Sequence, residues 1–182
     1  NRCNIQDCFG AAFVSTMFWK NFFKYNNFSY RLQGLDSGVL IGQLLECAKQ
    51  FGYTNGVYFQ FLDRALNHLL GLSEGEESVY AVIPLSTEPE TNWFHNDYHE
   101  NKTVTSHELL QQIPPLAHEH FVRSKHVDKY PMITKINEAS MIESTAHFQT
   151  LAHEEHYQYH EHAVKLPKVE RLSYDFLQLC RK

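Results

Sequence analysis

Histidine is the residue type dense enough to suggest metal chemistry, with twelve in a chain of 182 residues. Four of them, His153, His156, His160 and His162, lie in the run HEEHYQYHEH. His153 and His156, or His156 and His160, could share one helix face, as zinc ligands require. The residues between them are Glu, Tyr and Gln, and neither a cysteine partner nor the HExxH order is present. We therefore favour a solvated segment and predict no metal site.

Several classes of protein are disfavoured by what the chain lacks. Its four cysteines form no close pair of pairs, which argues against a zinc site or a disulfide-stapled secreted domain. No GxSxG, P-loop or GxGxxG motif occurs. The net charge of -5 argues against a nucleic-acid partner. There is no run of eighteen apolar residues and no signal-peptide pattern. We expect a cytoplasmic chain without a membrane partner, and the abrupt start at Asn1 suggests a fragment of a larger subunit.

The rest of the chain is organised around residues 19–51, an aromatic and basic segment followed by an apolar stripe. We predict a helix over 36–51, capped by Asp36 or Ser37 and ended by Gly52 at positive φ. Gly38 and Gly42 lie one turn apart and permit close approach of another backbone or a flat cofactor. The apolar side chains are expected on one broad face: Val39, Leu40, Leu44, Cys47, Ala48 and Phe51.

The flanking segments complete an α+β pattern. Residues 9–19 have the length and composition of a buried strand, and 78–85 form a second apolar strand. The segment around Lys24-Tyr25 could be helical, and a helix over 64–70, capped by Asp63, stops at Gly71. We divide the chain into a core segment over 9–86, a polar, histidine-rich and partly helical region over 87–165, and a linker or the start of a following domain over 166–182.

These residues carry a resemblance to a known fold. The chain resembles the nitroreductase-like FMN proteins, and more narrowly the SagB-type dehydrogenases, the azoline oxidases of ribosomal peptide (RiPP) biosynthesis that include the cyanobactin oxidases. The resemblance covers about residues 10–86. The matching pieces are Lys24-Tyr25, Tyr30-Arg31, Leu35-Asp36, Gly38, Gly52-Tyr53, 66–72 and 82–85.

The resemblance implies roles for particular residues. In SagB-type enzymes the Lys-Tyr pair, here Lys24 and Tyr25, assists proton removal as a thiazoline or oxazoline ring is oxidised to an azole. The alternative is that Tyr25 is a core residue and Lys24 is solvated. Tyr30 and Arg31 could contact the flavin, or Arg31 could pair with Asp36.

A second group of cofactor contacts is expected after the helix. Backbone N–H groups of Gly52, Gly56 and Val57 could bond the flavin edge, where small residues allow close approach. An ordinary turn is the alternative. The family's Arg-rich phosphate segment is missing, and the sequence after Leu85, STEPETNWF, is acidic. A phosphate needs Arg, Lys or a helix N-terminus, so FMN binding is expected to need a partner segment.

Three functions follow in order of preference. The first is an FMN-dependent oxidase acting on azoline rings in a modified peptide. The second is a nitroreductase or quinone reductase of the same fold, which would not need Lys24 and Tyr25. The third is a catalytically silent half of a duplicated enzyme that presents peptide. In each case we expect a homodimer or pairing with another segment of the same enzyme.

Overall fold

The computed structural model describes residues 8–88, 102–117 and 128–149. Contacts divide the chain into a unit over Asn1–Gln149, which contains all of these residues, and a second over Thr150–Lys182. The elements are β1 (Gly10–Met17), α1 (Trp19–Tyr25), a 3-10 turn (Asn26–Phe28), α2 (Ser29–Gln50), β2 (Thr54–Asn55), α3 (Asp63–Leu69), β3 (Glu77–Ser86), α4 (Ser106–Gln112), α5 (Pro131–Ser140) and a 3-10 turn (Thr145–His147). This confirms the predicted α+β class.

The sheet has the strand order β1-β3-β2 and is antiparallel throughout. β1 pairs with β3 from Gly10 opposite Leu85 to Met17 opposite Glu77, with a register shift between Val14 and Ser15. β2 pairs with the end of β3, where Asn55 lies opposite Leu85. Both predicted apolar strands are therefore confirmed, and the later one is the central strand of the sheet.

Helix α2 begins seven residues earlier than predicted, at Ser29. Neither Asp36 nor Ser37 caps it, because both lie inside the helix. The Ser37 hydroxyl donates to the Gln33 carbonyl oxygen at 2.8 Å, one turn back, a local bond that such side chains form within helices. Gln33 is itself buried, and its amide donates to the carbonyls of Met17 and Phe18. These two hydrogen bonds tie the early turns of α2 to the end of β1.

The predicted apolar face of α2 is wrong at four of its six positions and right at Leu44 and Ala48. Its buried residues recur every four positions and then near the C-terminus: Ser29, Gln33, Ser37, Ile41 and Ala48. Leu44 is half-buried and packs on the core, as expected. Val39 is 74% exposed, Leu40 and Cys47 are exposed, and so is Phe51, just past the helix end. The face that packs against the sheet is therefore polar in its first half, which apolar periodicity cannot detect.

Two hydrophobic clusters hold these elements together. The first joins Val14, Ile41, Ala81 and Ile83 between the sheet and the C-terminal half of α2. The second is aromatic and surrounds the fully buried Phe18. Its other members are Trp19, Phe22, Tyr30, Tyr80, Tyr130 and Ile133. Tyr130 and Ile133 lie more than a hundred residues from Phe18 in sequence, so α5 completes a core that the sequence assigned to residues 9–86.

Helix α3 is attached to β3 by a buried side chain. The Asn67 amide donates to the Ser78 hydroxyl at 3.2 Å, and its carbonyl oxygen accepts from the Val79 N–H at 3.0 Å. Gly71 has a φ of 64° just beyond the helix, as predicted. Arg64 bridges the carboxylates of Glu74 and Glu143. Within the described ranges, no helix is both long and apolar enough to cross a bilayer.

Candidate functional site

Lys24 and Tyr25 end helix α1, so the prediction that this segment is helical is confirmed. Both side chains are exposed, and Tyr25 retains 39% of its accessible surface. The Lys24 ammonium lies 5.0 Å from the centroid of the Tyr25 ring, within the range of a cation–π contact. Tyr25 is therefore not a core residue. The amine and the phenol are adjacent and accessible to a molecule that approaches from solvent.

Contacts before and after this pair in the chain hold it in place. Phe22 packs its ring 5.8 Å from that of Tyr130, which holds the inner face of α1 against the aromatic cluster. Asn26 follows Tyr25 with a φ of 50° and is the one described non-glycine residue at positive φ. Asparagine is one of the few residue types that adopt this conformation readily. Its N–H closes α1 on the Phe22 carbonyl, and the chain then turns into α2.

Tyr30 and Arg31 begin α2 and have different surroundings. The Tyr30 ring lies in the aromatic cluster, 6.1 Å from the rings of Phe18 and Tyr80, and its hydroxyl donates to Asn137 Oδ1 at 3.4 Å. Arg31 is exposed. Arg31 and Asp36 are in neither of the ion pairs defined among the described residues, so the alternative contact between them is not formed there. Tyr30 is thus a packed residue, and Arg31 faces solvent.

Gly52 ends α2 with a φ of 78°, as predicted. Its N–H donates to the Lys49 carbonyl and the Tyr53 N–H donates to the Ala48 carbonyl, which is the Schellman pattern of a helix end. The Gly52 N–H is therefore used by the cap. Val57 packs on the first hydrophobic cluster, and Gly56 lies between it and β2. Gly52 therefore forms an ordinary helix-ending turn, which was the alternative to a flavin contact.

Two of the predicted cofactor residues precede most of α2 in the chain, and three follow it. Tyr30 and Arg31 occupy its first turn, and Gly52, Gly56 and Val57 follow its last. A helix rises 1.5 Å per residue, so Arg31 and Gly52 are separated by about 30 Å, well beyond the size of a flavin ring system. Arg31 and Gly52 therefore cannot contact one flavin ring within this chain. The same separation does not hold for Val57, because the chain runs back along β3 after β2: Tyr58 pairs with Val82, and Val57 packs on the cluster that contains Ile41.

A buried polar group beside the aromatic cluster was not predicted. The Tyr80 hydroxyl lies near those of Thr16 and Tyr30 without forming a hydrogen bond of normal geometry, and Thr16 Oγ1, Gln33 Oε1 and Asn137 Nδ2 are likewise buried without partners among the described residues. Burial raises the pKa of Tyr80 well above its ordinary value. Tyr80 therefore stays protonated. Its place in a strand of alternating apolar residues gave no sign of these neighbours.

The histidines singled out at 153–162 lie outside the described residues. Within residues 8–88, 102–117 and 128–149, no three His, Cys, Asp or Glu side chains are grouped to hold a metal ion. His68 contacts the Ile113 carbonyl oxygen at 2.9 Å and joins α3 to the end of α4. His107 contacts Gln111 one turn along α4. The described histidines whose contacts are defined thus make structural contacts.

Comparison with known proteins finds a distant structural similarity and no family match. A solved structure from Anabaena variabilis, provisionally described as a nitroreductase, aligns with a TM-score of 0.49 and 20% identity. The alignment covers 78% of this chain and 25% of that one, so the chain spans about a quarter of that structure's length. No family model matches the chain. No curated protein matches it either. Similarity at this level does not place the chain in a family.

Proposed function

We propose that this chain is part of an FMN-dependent oxidoreductase of the nitroreductase-like fold that oxidises thiazoline or oxazoline rings in a ribosomally made peptide. The proposal rests on the sequence resemblance over residues 10–86 and on one observation. Lys24 and Tyr25 lie side by side at the end of α1, exposed, with the Lys24 ammonium 5.0 Å from the Tyr25 ring. A proton-transfer pair for a peptide substrate needs this accessibility.

The step of the reaction that we assign to this chain is the proton transfer. Oxidation of an azoline to an azole removes a hydride from one ring carbon and a proton from its neighbour. Only a deprotonated member of the pair can accept that proton: Tyr25 as a phenolate would be the base, and the Lys24 ammonium beside its ring would balance the negative charge. Phe22 and Asn26 keep the pair in place, because one anchors α1 in the core and the other sets the turn that follows it. A positioned acid–base group typically contributes 10²–10⁴-fold to a rate.

FMN would be held mainly by groups outside this chain's described residues. Arg31 and Gly52, two of the predicted contacts, are about 30 Å apart along α2. The Gly52 N–H is used in the helix cap, and no basic cluster follows Leu85. We propose that a second copy or another segment of the same enzyme supplies the phosphate-binding cations.

A silent, peptide-presenting half of a duplicated enzyme is the second candidate function. The observation that favours it is the same separation of Arg31 and Gly52. It differs from the first candidate in one respect, since Lys24 and Tyr25 would then contact peptide without taking part in chemistry.

The test is spectroscopic and uses the full-length protein with FMN. Under anaerobic conditions an azoline-containing peptide should bleach the flavin absorbance, and mass spectrometry should find a product lighter by two hydrogens. Bleaching by a nicotinamide donor, with turnover of quinones and none of azolines, would instead indicate the reductase. Bound flavin that neither substrate bleaches would favour the silent half.

A further inference from the structure

Six exposed side chains lie on three consecutive elements: α1, the 3-10 turn after it and the first turn of α2. They combine three aromatic rings with three cations and are named here the basic aromatic patch: Lys20, Phe23, Lys24, Tyr25, Phe28 and Arg31. Phe23 is 73% exposed and Phe28 57% exposed. Exposed apolar groups of this size, rimmed by polar side chains, are typical of surfaces that bind another molecule.

The net charge of the patch is opposite in sign to that of the whole chain. Residues 8–35 contain three of the sixteen Lys and Arg residues and none of the twenty-one Asp and Glu residues. The remaining residues therefore carry thirteen bases and twenty-one acids. The two ion pairs defined among the described residues join Arg64 to Glu74 and Glu143, and neither involves a cation of the patch. The patch is thus a local positive region on a chain of net charge -5.

The patch is preformed. Lys20, Phe23 and Lys24 are three and four residues apart on α1, which places them on one helix face. The opposite side of α1 is packed in the aromatic cluster through Trp19 and Phe22. The turn to Phe28 is set by the positive φ of Asn26. Docking on this surface would therefore need little ordering of the backbone, and ordering costs affinity.

We infer that the basic aromatic patch binds an acidic polypeptide that carries apolar side chains beside its carboxylates. Carboxylates complement Lys20, Lys24 and Arg31, and the apolar side chains cover Phe23 and Phe28. The inference rests on the proposed function in one respect: Lys24 and Tyr25 belong to the patch, so the bound polypeptide would be the substrate. It adds a substrate class, a peptide with acidic residues near the ring that is oxidised.

The number of charges favours an acidic peptide over two other anionic partners, nucleic acid and a bilayer. Nucleic-acid binding commonly engages six to ten phosphates with Lys and Arg, and the patch offers three cations. An anionic bilayer presents many charges over a wide surface, which the acidic remainder of the chain repels. A peptide with a few carboxylates matches three cations and leaves the repulsion small.

Binding can be measured without flavin by fluorescence anisotropy, with the full chain and a labelled synthetic peptide that alternates glutamate and leucine. The same peptide with lysine for glutamate, or serine for leucine, reports each contribution. We expect the glutamate–leucine peptide to bind and the other two to bind at least about tenfold more weakly, the scale of losing one 1.4 kcal/mol contribution. Added salt should weaken binding, because the pairs are exposed.

Two matched pairs of variants locate the site. Lys20→Glu and Phe23→Ser change the patch, while Lys49→Glu and Phe51→Ser change equally exposed residues at the far end of α2. The patch variants should weaken binding about tenfold each, and the far-end variants should leave it unchanged. Melting temperatures of all four should match the wild type, because none of these side chains is buried.

Other outcomes overturn the inference. These are no binding of the glutamate–leucine peptide, equal losses in the patch and far-end variants, capture by phosphatidylserine vesicles in place of peptide, or self-association that Phe23→Ser abolishes. Failure of the proposed function looks different. Peptide would then bind at the patch, while variants of Lys24 and Tyr25 turned over azoline at the wild-type rate or no turnover occurred.

Discussion

Asp63 and Ile142 are joined by hydrogen bonds in both directions. The Asp63 carboxylate accepts from the Ile142 N–H at 2.7 Å, and the Asp63 N–H donates to the Ile142 carbonyl oxygen at 3.3 Å. Asp63 was expected to cap α3, but it is the first residue of that helix and its carboxylate is used by a segment seventy-nine residues away. It therefore fixes the chain after α5 to the start of α3.

This contact gives a pH dependence of stability with a defined sign. Burial raises the pKa of Asp63 above the ordinary value of 3.8, a rise that two backbone hydrogen bonds oppose and the charge of Glu143 adds to. The native state then binds the proton more tightly than the unfolded state. The contribution of Asp63 is thus fully favourable below about pH 3.8 and is lost as pH rises through the folded pKa.

Asp63→Asn should remove this dependence, because an amide oxygen can still accept from the Ile142 N–H without a buried charge. We expect the variant to gain stability relative to the wild type as pH rises from about 3.8 towards neutrality. Urea unfolding at a series of pH values measures it. Asp36→Asn, a change at an exposed acid of α2, is the control for loss of one charge. A stability difference that is flat with pH would contradict the assignment.

The two faces of α2 can be distinguished by one pair of truncations. Ile41 is 7% exposed and belongs to the first hydrophobic cluster, whereas Val39 is 74% exposed. Ile41→Ala should lower the free energy of unfolding by about 2–5 kcal/mol, since it leaves a cavity. Val39→Ala should change it by no more than about 0.5 kcal/mol. Denaturant unfolding of the two variants decides, and equal losses would mean that the helix is rotated about its axis.

The extent to which the sequence predicted this fold depends on the range of the deciding interaction. The strands, the helical state of Lys24-Tyr25 and the positive φ of Gly52 and Gly71 follow from local patterns, and all are confirmed. The start of α2 was missed because Gln33 is held by Met17 and Phe18, contacts that no local pattern encodes. Packing of Tyr130 on Phe18 is longer in range still.

The start of α4 also has a local signal. Thr105 and Glu108 form a reciprocal capping box that starts α4 at Ser106, and the spacing Thr-x-x-Glu is readable from the sequence. The arrangement of the candidate-site residues, by contrast, has no local sequence signal. These residues were chosen by resemblance, and the distance between Arg31 and Gly52 depends on where α2 begins and ends.

The buried hydroxyls of Tyr80 and Tyr30 should respond differently to removal. Tyr80→Phe deletes a buried hydroxyl that has no hydrogen-bond partner, so the variant should be as stable as the wild type or more stable, by up to about 1–3 kcal/mol. Tyr30→Phe deletes the bond to Asn137 and leaves two buried amide atoms without partners, at a cost of about 1 kcal/mol. Thermal unfolding compares them. A loss in Tyr80→Phe as large as in Tyr30→Phe would show that the Tyr80 hydroxyl is bonded in solution.

FMN should bind this chain weakly or not at all in isolation. Arg31 and Gly52, two of the residues predicted to contact it, lie at opposite ends of a 22-residue helix, and the segment after Leu85 lacks a basic cluster for the phosphate. Titration followed by flavin fluorescence measures the affinity, with the full-length protein as the positive control. A tight one-to-one complex with residues 1–182 would contradict the need for a partner segment.

The proton-transfer role of Lys24 and Tyr25 is tested by two substitutions in the full-length, flavin-loaded enzyme. Tyr25→Phe removes only the hydroxyl, and Lys24→Ala removes the ammonium near its ring. Each should retain flavin and lose azole formation by on the order of 10²-fold, the usual scale of general acid–base help. Lys49→Ala, at an exposed lysine near the other end of α2, should keep the wild-type rate.

Turnover is measured by mass spectrometry of the peptide at saturating substrate, so that weaker binding of the peptide is not mistaken for slower chemistry. Flavin reduction by a nicotinamide donor should be unchanged in all three variants, because it does not need this proton. Wild-type azole formation in both Tyr25→Phe and Lys24→Ala would end the catalytic assignment and leave the pair as part of a binding surface.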